Sequence, residues 1–477
     1  MIYALAAVLL PLVAALLALG WRRHAAGISW SGTILSLLCA VLALQQVLSD
    51  GPQQWLLGGW PTGLAIRWQL TELTALLLLL TGLIHSVVAS YSLASQRGEK
   101  LAADFWPLAS LLQMSLSALW LSTDLFNWYV TLELLGLVAA AMVTLSGGKA
   151  LSAALRYLVL SLAGSLCYLL GVALLYGQFG VLDLAELSGL SQSSDSPTTM
   201  LALLLMTAGL MLKAALWPLH LWLPAAHAVA PTAVSALLSA LVVKGPLFIL
   251  WLLWSQLAST ELSYAVAGFF LLAGSLALLT GGWSALRTPY TKVMVAHSTV
   301  AQLGYALLAM GLALQSSDPA FQHAFWLFII AHALAKTSVF LAVGEMQSSL
   351  GGKRIQMLKG ASQTMPLAMF ALAVAGGSLI GLPPSGGFLA KWQLVLPLWP
   401  QWQLWIWLGM ILVGTLLSAA YIFRVVVVAF DRARPVQPDF APQLLPQWIA
   451  LLPALLVWGL AFASESLLQW LGGGYGL

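Results

Sequence analysis

Residues 199–254 read TMLALLLMTAGLMLKAALWPLHLWLPAAHAVAPTAVSALLSALVVKGPLFILWLLW. Two apolar runs, 199–222 and 231–254, are each long enough to cross a bilayer, whose hydrocarbon core takes about 20 residues of helix. Each run holds one lysine, Lys213 or Lys244, and the first leads into Pro218, Pro224 and Pro231. Proline removes a backbone donor and blocks the preceding turn. The carbonyls it frees can be satisfied in a membrane only inside a protein-lined cavity. The stretch therefore reads as two membrane spans, the first of them interrupted.

Outward from it, the same character holds over all 477 residues, which are 61% hydrophobic and only 7% charged, against about 25% charged in soluble domains. A soluble fold is excluded. A porin-like barrel is excluded as well, because the apolar runs are continuous rather than alternating. The 22 tryptophans, 41 glycines and 21 prolines suit interfacial aromatics and interrupted helices. Fourteen segments reach spanning length, at approximately 2–20, 28–48, 70–92, 104–122, 124–146, 151–177, 199–222, 231–254, 262–285, 288–314, 319–345, 365–397, 403–428 and 443–469. The expected fold is an all-α polytopic membrane protein, a single membrane domain over 1–477. The run Ile2–Leu19 has no basic stretch before it and no small-residue cleavage site after it, so it is read as a retained helix.

The net charge of +4 is dispersed along the chain and offers no basic stripe for a phosphate backbone, so nucleic acid is not an expected partner. Cys39 and Cys167 lie in apolar segments without CxxC or Cys/His spacing, and no disulfide framework, metal site or cofactor is expected. Redox or hydrolytic chemistry in this chain itself is not expected either.

The basic residues orient the spans. With the N-terminus outside, Arg22, Arg23, Arg97, Lys100, Lys149, Arg156, Arg287, Lys292, Lys353, Arg354, Lys359, Arg424, Arg432 and Arg434 fall on the inner side, and only Arg67 falls outside. Both termini are thus expected outside a cell inner (plasma) membrane. Of the outer loops, 49–68 and 178–197 are long; the second, with Ser191, Ser193, Ser194 and Asp195, is expected to be polar and mobile. The inner segment 351–366 is a basic connector.

The remaining lysines, Lys213, Lys244, Lys336 and Lys391, fall within spans, and Glu133 lies about nine residues, roughly 14 Å, into the fifth. Five such groups cost on the order of 10 kcal/mol before any pairing. A structural ion pair or a snorkelling stem accounts for one lysine; four, with one mid-span acid, favour an ion path facing the bundle interior. A buried lysine titrates readily, because desolvation makes its proton easier to lose and a nearby carboxylate makes it harder. His332 precedes Lys336 by one helical turn and shares its face. His220 and His227, near the inner end of the seventh span, and His297 in the tenth are possible relays, although packing is the commoner role of such histidines. The twelfth span carries Gly376, Gly377, Gly381, Pro383, Pro384, Gly386 and Gly387 just before Lys391. Interruptions five spans apart point to an internal repeat, spans 4–8 (104–254) and 9–13 (262–428), with an odd span count that makes the copies inverted.

Four stretches, DLFNWYVTLE (124–133), KAALWPLHLWLPAAH (213–227), PTAVSALL (231–238) followed by Lys244, and GLPPSGGFLAK (381–391), carry a family resemblance over roughly spans 3 to 13. They resemble the antiporter-type proton-conducting subunits of respiratory complex I, membrane-bound hydrogenases and Mrp-type cation/proton antiporters, and the DLFN opening looks most like the D-type subunits of the Mrp antiporters. The resemblance implies fourteen helices in inverted repeats with broken helices 7 and 12, around a hydrated polar axis. Glu133 matches the family's helix 5 glutamate, Lys213 the helix 7 lysine, Lys244 the helix 8 lysine, Lys391 the helix 12 charged residue, and His332 with Lys336 a helix 11 pair. Two departures stand out. Ala225 replaces an acid found before the histidine in many relatives, and Pro246, two residues after Lys244, is expected to break helix 8 at its lysine.

The function expected is proton translocation within a multisubunit monovalent cation (Na+)/H+ antiporter, along the Glu/Lys/His axis and among other membrane subunits. The alternative is the proton-pumping membrane subunit of a quinone- or hydrogen-linked oxidoreductase complex; energy coupling to uptake of another solute is a weaker third. With so few interior acids, the cation route is expected in another subunit.

Overall fold

The computed structural model describes residues 1–58, 65–95, 103–192, 196–431, 438–439 and 441–472. Arg97, Lys100, Arg432 and Arg434 of the basic tally, and Ser193, Ser194 and Asp195 of the polar loop, lie outside the described residues.

Each apolar segment is helical, since only a helix satisfies every backbone group of a lone spanning segment within itself. Spans 1 to 6 are Ile2–Gly20, Ala25–Asp50, Glu72–Ala94, Phe105–Leu121, Leu125–Thr144 and Ala150–Phe179. Span 7 is split into Pro197–Lys213 and Trp222–Val229. Spans 8 to 11 are Thr232–Leu257, Thr260–Arg287, Thr291–Gln315 and Pro319–Ser349. Span 12 is split into Pro366–Ile380 and Gly386–Leu398, and spans 13 and 14 are Trp405–Phe430 and Leu444–Gly472. Eleven of these helices are long and apolar enough to cross a membrane alone. The three shorter apolar ones are span 4 and the first halves of spans 7 and 12. Of the expected sets 4–8 and 9–13, each is interrupted in its fourth member.

The helices that start on one face are capped there by short polar side chains. Asp124 accepts from the Asn127 amide at 2.6 Å, Ser196 from Thr199 at 3.1 Å, Ser259 from Leu262 at 3.3 Å and Asp318 from Ala320 at 2.9 Å. Pro197 and Pro319 take first-turn positions where no donor is required. The DLFN sequence is thus a helix cap, and it fixes how deep Glu133 sits in span 5.

On the same face, strands β1 (Gln53–Leu57) and β2 (Ile66–Leu70) form an antiparallel hairpin. Arg67 of β2 pairs with Asp183 at 3.3 Å and Glu186 at 3.7 Å. Asp183 caps a short helix, Leu184–Ser191, whose Ser188 and Ser191 donate to the Gln256 and Leu257 carbonyls, each at 2.8 Å. The 178–197 connection, expected to be a mobile polar loop, is therefore folded and tied down over most of its length. Arg67 is the tie.

Spans 8 and 11 are buried along their whole apolar windows, whereas spans 1, 2, 6, 13 and 14 bury only 33–39% of theirs. Lys244, His332 and Lys336 sit on the two buried spans. Small residues let the backbones touch, as membrane helix packing requires. A Cβ on Gly209 of span 7 would run into the Gly164 carbonyl of span 6, and one on Gly304 of span 10 would lie 2.6 Å from the Gly274 carbonyl of span 9. Gly209→Ala is expected to cost about 1–3 kcal/mol, because backbone cannot step aside as a side chain can. The check is a lowered unfolding temperature of the purified assembly.

Span 8 is not broken at Pro246. The irregularity next to the lysine comes before it, as a π-helical stretch at Leu238–Val242, and α-helix restarts at Lys244; a second π-helical stretch, Leu253–Leu257, ends the span. Pro246 thereby falls in a first turn, where the missing donor costs little. The π turn leaves the Ser239 carbonyl to a side-chain donor, the Lys244 ammonium at 2.5 Å.

Candidate functional site

In span 7 the helix ends at Lys213, and Ala215 follows at φ +52°, a left-handed conformation that costs an alanine about 1–2 kcal/mol. The Leu212 carbonyl, which takes the Ala215 amide at 3.3 Å in the turn, also accepts the Trp222 indole N–H from the second half at 2.8 Å. Lys213 Nζ points away from its own helix. It donates to the Leu132 carbonyl at 3.2 Å and the Ser161 hydroxyl at 3.1 Å, and lies 3.7 Å from Glu133 Oε2. The Ser165 hydroxyl also donates to Glu133. Spans 5, 6 and 7 thus converge on one acid, one base and two hydroxyls.

The break in span 12 is built differently. Gly381 closes the first half at φ +91°, where a Cβ would also press to 2.9 Å from Lys391 Cδ. The Ser385 hydroxyl caps the second half through the Phe388 amide at 3.2 Å. Two carbonyls released by the first half, Leu379 and Ile380, accept Lys391 Nζ at 3.2 and 2.8 Å, and Thr415 accepts it at 3.1 Å. The ammonium also sits 4.3 Å above the Tyr305 ring, a favourable cation–π placement.

Between the two breaks lies a chain of polar groups. Lys244 Nζ is 2.7 Å from His332 Nδ1. An ammonium at Lys244 would donate to Nδ1; the other ring nitrogen, Nε2, has no partner among the described residues. The Ser239 hydroxyl meets Thr299 Oγ1 at 2.8 Å, and Thr299 donates to the Val295 carbonyl at 3.1 Å. The same carbonyl accepts Lys336 Nζ at 3.0 Å, and Lys336 also donates to Ser298. One turn on, Gln302 donates to Ser418 at 3.0 Å and to the Leu379 carbonyl at 3.1 Å, the acceptor it shares with Lys391. All four lysines are between 0% and 6% exposed, and only Lys213 has a carboxylate within 4 Å among the described residues. Such a row of amines, hydroxyls and carbonyls can bind protons and hand them on, but offers no ligand set for a metal; the described residues contain no metal-type cluster.

The structure sets Lys244, His332, Lys336 and Lys391 along this row; Glu133 and Lys213 pair at the span 7 break, with no hydrogen bond to Lys244 among the described residues. His332 and Lys336, read as a pair, turn to different partners: His332 to span 8 and Lys336 to span 10. His227 is fully buried in the second half of span 7, stacked 4.7 Å from Phe340, and neither ring nitrogen has a partner among the described residues. Beside its helix a cavity of about 370 Å³ opens on the opposite face from the caps, lined by Ala228, Thr232, Lys292, Gln347 and Lys353. His220 lies in the break itself rather than in a helix end, and it and His297 are only half-buried; their Nδ1 atoms have no partner among the described residues. Neither joins the row. The hydroxyls of Ser161, Ser165, Ser239, Ser298 and Thr299, the amide of Gln302 and the ring of Tyr305 were not singled out from sequence. Their signal is periodic: Ser298, Gln302 and Tyr305 recur at four and three residues along one face of span 10, and Ser161 and Ser165 at four in span 6. A second interior acid was also missed, Glu345 of span 11, which accepts from Tyr91 at 3.1 Å and Ser95 at 3.5 Å.

The family model described as NADH:quinone oxidoreductase/Mrp antiporter, TM, matches residues 122–418. The N subunit of the NADH-quinone oxidoreductase of Desulforudis audaxviator is 33% identical over 417 residues, 85% of this chain and 82% of that one. The D-type subunit of the Na(+)/H(+) antiporter of Bacillus subtilis is 26% identical over 461 residues, 94% and 92% of the two chains. Among solved structures, a chain of the membrane-bound sulfane sulfur reductase, an archaeal respiratory membrane complex, superposes with a TM-score of 0.90 at 26% identity, covering 98% of this chain and 97% of that one.

Proposed function

The chain belongs to the NADH:quinone oxidoreductase/Mrp antiporter membrane family, and from that premise we propose that it is the proton-translocating subunit of a multisubunit monovalent cation/proton antiporter. In this reading it is a multi-pass protein of the plasma membrane with both termini outside, bound to other membrane subunits. The observation that carries the proposal is the set of four buried lysines, each held by hydroxyls or carbonyls, between the two helix breaks. A proton entering from the inner cavity beside His227 reaches Lys213 and Lys244, moves along span 10 by Lys336, and leaves toward the outer face at Lys391. The Glu133/Lys213 pair gates the first step, holding the proton when the carboxylate is close and releasing it toward Lys244 when it withdraws.

The sodium route is assigned to a partner subunit, since the spans offer Glu133 and Glu345 as their only well-shielded acids among the described residues and each is already engaged by hydroxyls. A second reading, the proton-pumping arm of a quinone- or hydrogen-linked oxidoreductase, is favoured by the 33% identity with the N subunit of a quinone oxidoreductase.

One experiment tests the proposal against that second reading: purification of the chain with its native partners and reconstitution in liposomes. The expected result is proton movement driven by an imposed sodium gradient, with small membrane subunits co-purifying and with no sodium flux through this chain alone. Sodium-independent proton movement with iron–sulfur, flavin or nickel subunits in the preparation would overturn it in favour of the oxidoreductase.

A further inference from the structure

Toward the capped face, spans 8 and 11 meet along two antiparallel stripes at helical spacing. The stripe on span 8 is Lys244, Phe248, Trp251 and Ser255; that on span 11 is His332, Phe328, Phe325 and Gln322. The contacts between them change in kind along the way. Lys244 Nζ meets His332 Nδ1 at 2.7 Å, and Trp251 stacks on Phe325 with centroids 4.6 Å apart. Ser255 and Gln322 then line an open cavity of about 500 Å³ beside the caps Ser259 and Asp318, with Trp251 and Trp254 also in its lining. From Lys244 to Trp251 is roughly 10 Å along the helix.

Both stripes are apolar between these ends. Residues 245–253 (GPLFILWLL) and 324–331 (AFWLFIIA) hold no polar side chain apart from the indoles of Trp251 and Trp326. Phe248 is the hub, its ring 5.2 Å from Trp120, 6.4 Å from Trp128 and 6.0 Å from Trp326. Spans 4, 5, 8 and 11 thus each put an aromatic ring into one layer, and Trp326 meets Trp251 edge-on at 5.7 Å. The Trp120 and Trp128 indoles donate to Thr81 Oγ1 at 2.9 Å and to the Leu119 carbonyl at 3.2 Å.

We propose that this aromatic layer is an insulating seal, which keeps protons of the outer cavity from Lys244 and His332 so that the pair exchanges protons only with the inner side and along the row. A proton crosses a protein interior through hydrogen-bonded groups or water, and an apolar constriction excludes water. Unsealed, the cavity would let the membrane potential drive protons straight onto Lys244. The inference rests on the reading of Lys244 as a proton carrier.

The test is passive proton entry into proteoliposomes holding the assembled complex, under an imposed potential and without a sodium gradient. Phe248→Ser opens the hub and adds a hydroxyl for water to bind, next to a Trp326 indole whose N–H has no partner among the described residues. It is expected to raise the leak at least about tenfold, whereas Phe248→Leu, which keeps the layer apolar, is expected to stay as tight as wild type. Phe248→Ser combined with Lys244→Met is expected to be tight again, because the leak runs through the lysine. A tight Phe248→Ser complex, or a leak undiminished in the double variant, would overturn the seal. If Phe248→Ser does not assemble, accessibility decides: with Cys39 and Cys167 replaced by serine, Ser255→Cys is expected to react with a charged, membrane-impermeant methanethiosulfonate added on the capped side, and Phe328→Cys is not. An unreactive Ser255→Cys or a reactive Phe328→Cys would overturn the seal as well. A tight Phe248→Ser complex beside a transport-dead Lys244→Met one confines the failure to the seal; normal transport by Lys244→Met brings down the underlying reading.

Discussion

Replacing Lys213 with alanine in the intact assembly is expected to lower coupled proton transport by about a hundredfold or more while leaving the complex assembled. Lys213 is the last helical residue of the first half of span 7, so truncation leaves the helix's own backbone hydrogen bonds in place and removes only the side-chain donor to the Leu132 carbonyl and Ser161; its amine is the sole cation within 4 Å of Glu133 among the described residues. Moving one charge through about 100 mV costs about 2.3 kcal/mol, roughly a fiftyfold change in a protonation equilibrium at 1.36 kcal/mol per decade. Drawing Glu133 toward or away from an amine 3.7 Å distant changes the interaction by a comparable amount at an intermediate dielectric. The pair is therefore strong enough to gate and weak enough to open. Glu133→Gln keeps the shape and the Ser165 contact but not the charge, and is expected to slow transport by about tenfold or more. Proton uptake by proteoliposomes, normalised to assembled complex, measures both. Wild-type uptake by the Lys213→Ala complex would remove Lys213 from the path.

How much of this was legible in the sequence follows from what sets each feature. Hydrocarbon thickness fixes span length, so all fourteen spans were visible as apolar runs, and the helix breaks were visible because Pro218, Pro224, Pro383 and Pro384 punctuate two of those runs. The lysines stood out because charge is rare in such segments. Their partners did not, since a serine or threonine in a membrane helix usually satisfies its own preceding turn, as Ser86 and Ser92 do. Only packing decides that Ser161 and Ser239 face another helix instead, and that Ser298, which donates to its own Val295 carbonyl, also accepts from Lys336. The π turn before Lys244 was hidden for a related reason: it is a shift of hydrogen-bond register within an unbroken apolar run, and no residue type marks it. Pro246 drew attention to the wrong side of the lysine. The folding of the 178–197 segment depends on Arg67, more than 100 residues earlier in the chain, which no local reading could connect to Asp183 and Glu186.

The second large effect is expected at Lys244, from a substitution that preserves charge. Lys244→Arg keeps a cation in the buried centre of span 8, yet a guanidinium does not lose its proton in a protein. If Lys244 served only to hold positive charge between His332 and the Ser239 carbonyl, arginine would serve too. If it passes protons, arginine stops the row at its midpoint, because His332 Nδ1, 2.7 Å away, could accept a hydrogen bond but never the proton itself. Transport is expected to fall about a hundredfold or more in Lys244→Arg. Arginine is bulkier than lysine and the site is only 1% exposed, so a misfolded complex would give the same loss. Lys244→Met, close to lysine in volume and unbranched, controls for that: it is expected to assemble and to be equally inactive, having no proton to give. Two outcomes discriminate. Both variants assembled and inactive makes the exchangeable proton of Lys244 the essential property, whereas an active Lys244→Arg beside an inactive Lys244→Met makes it the charge, and the row would then be a fixed electrostatic field around a route carried elsewhere.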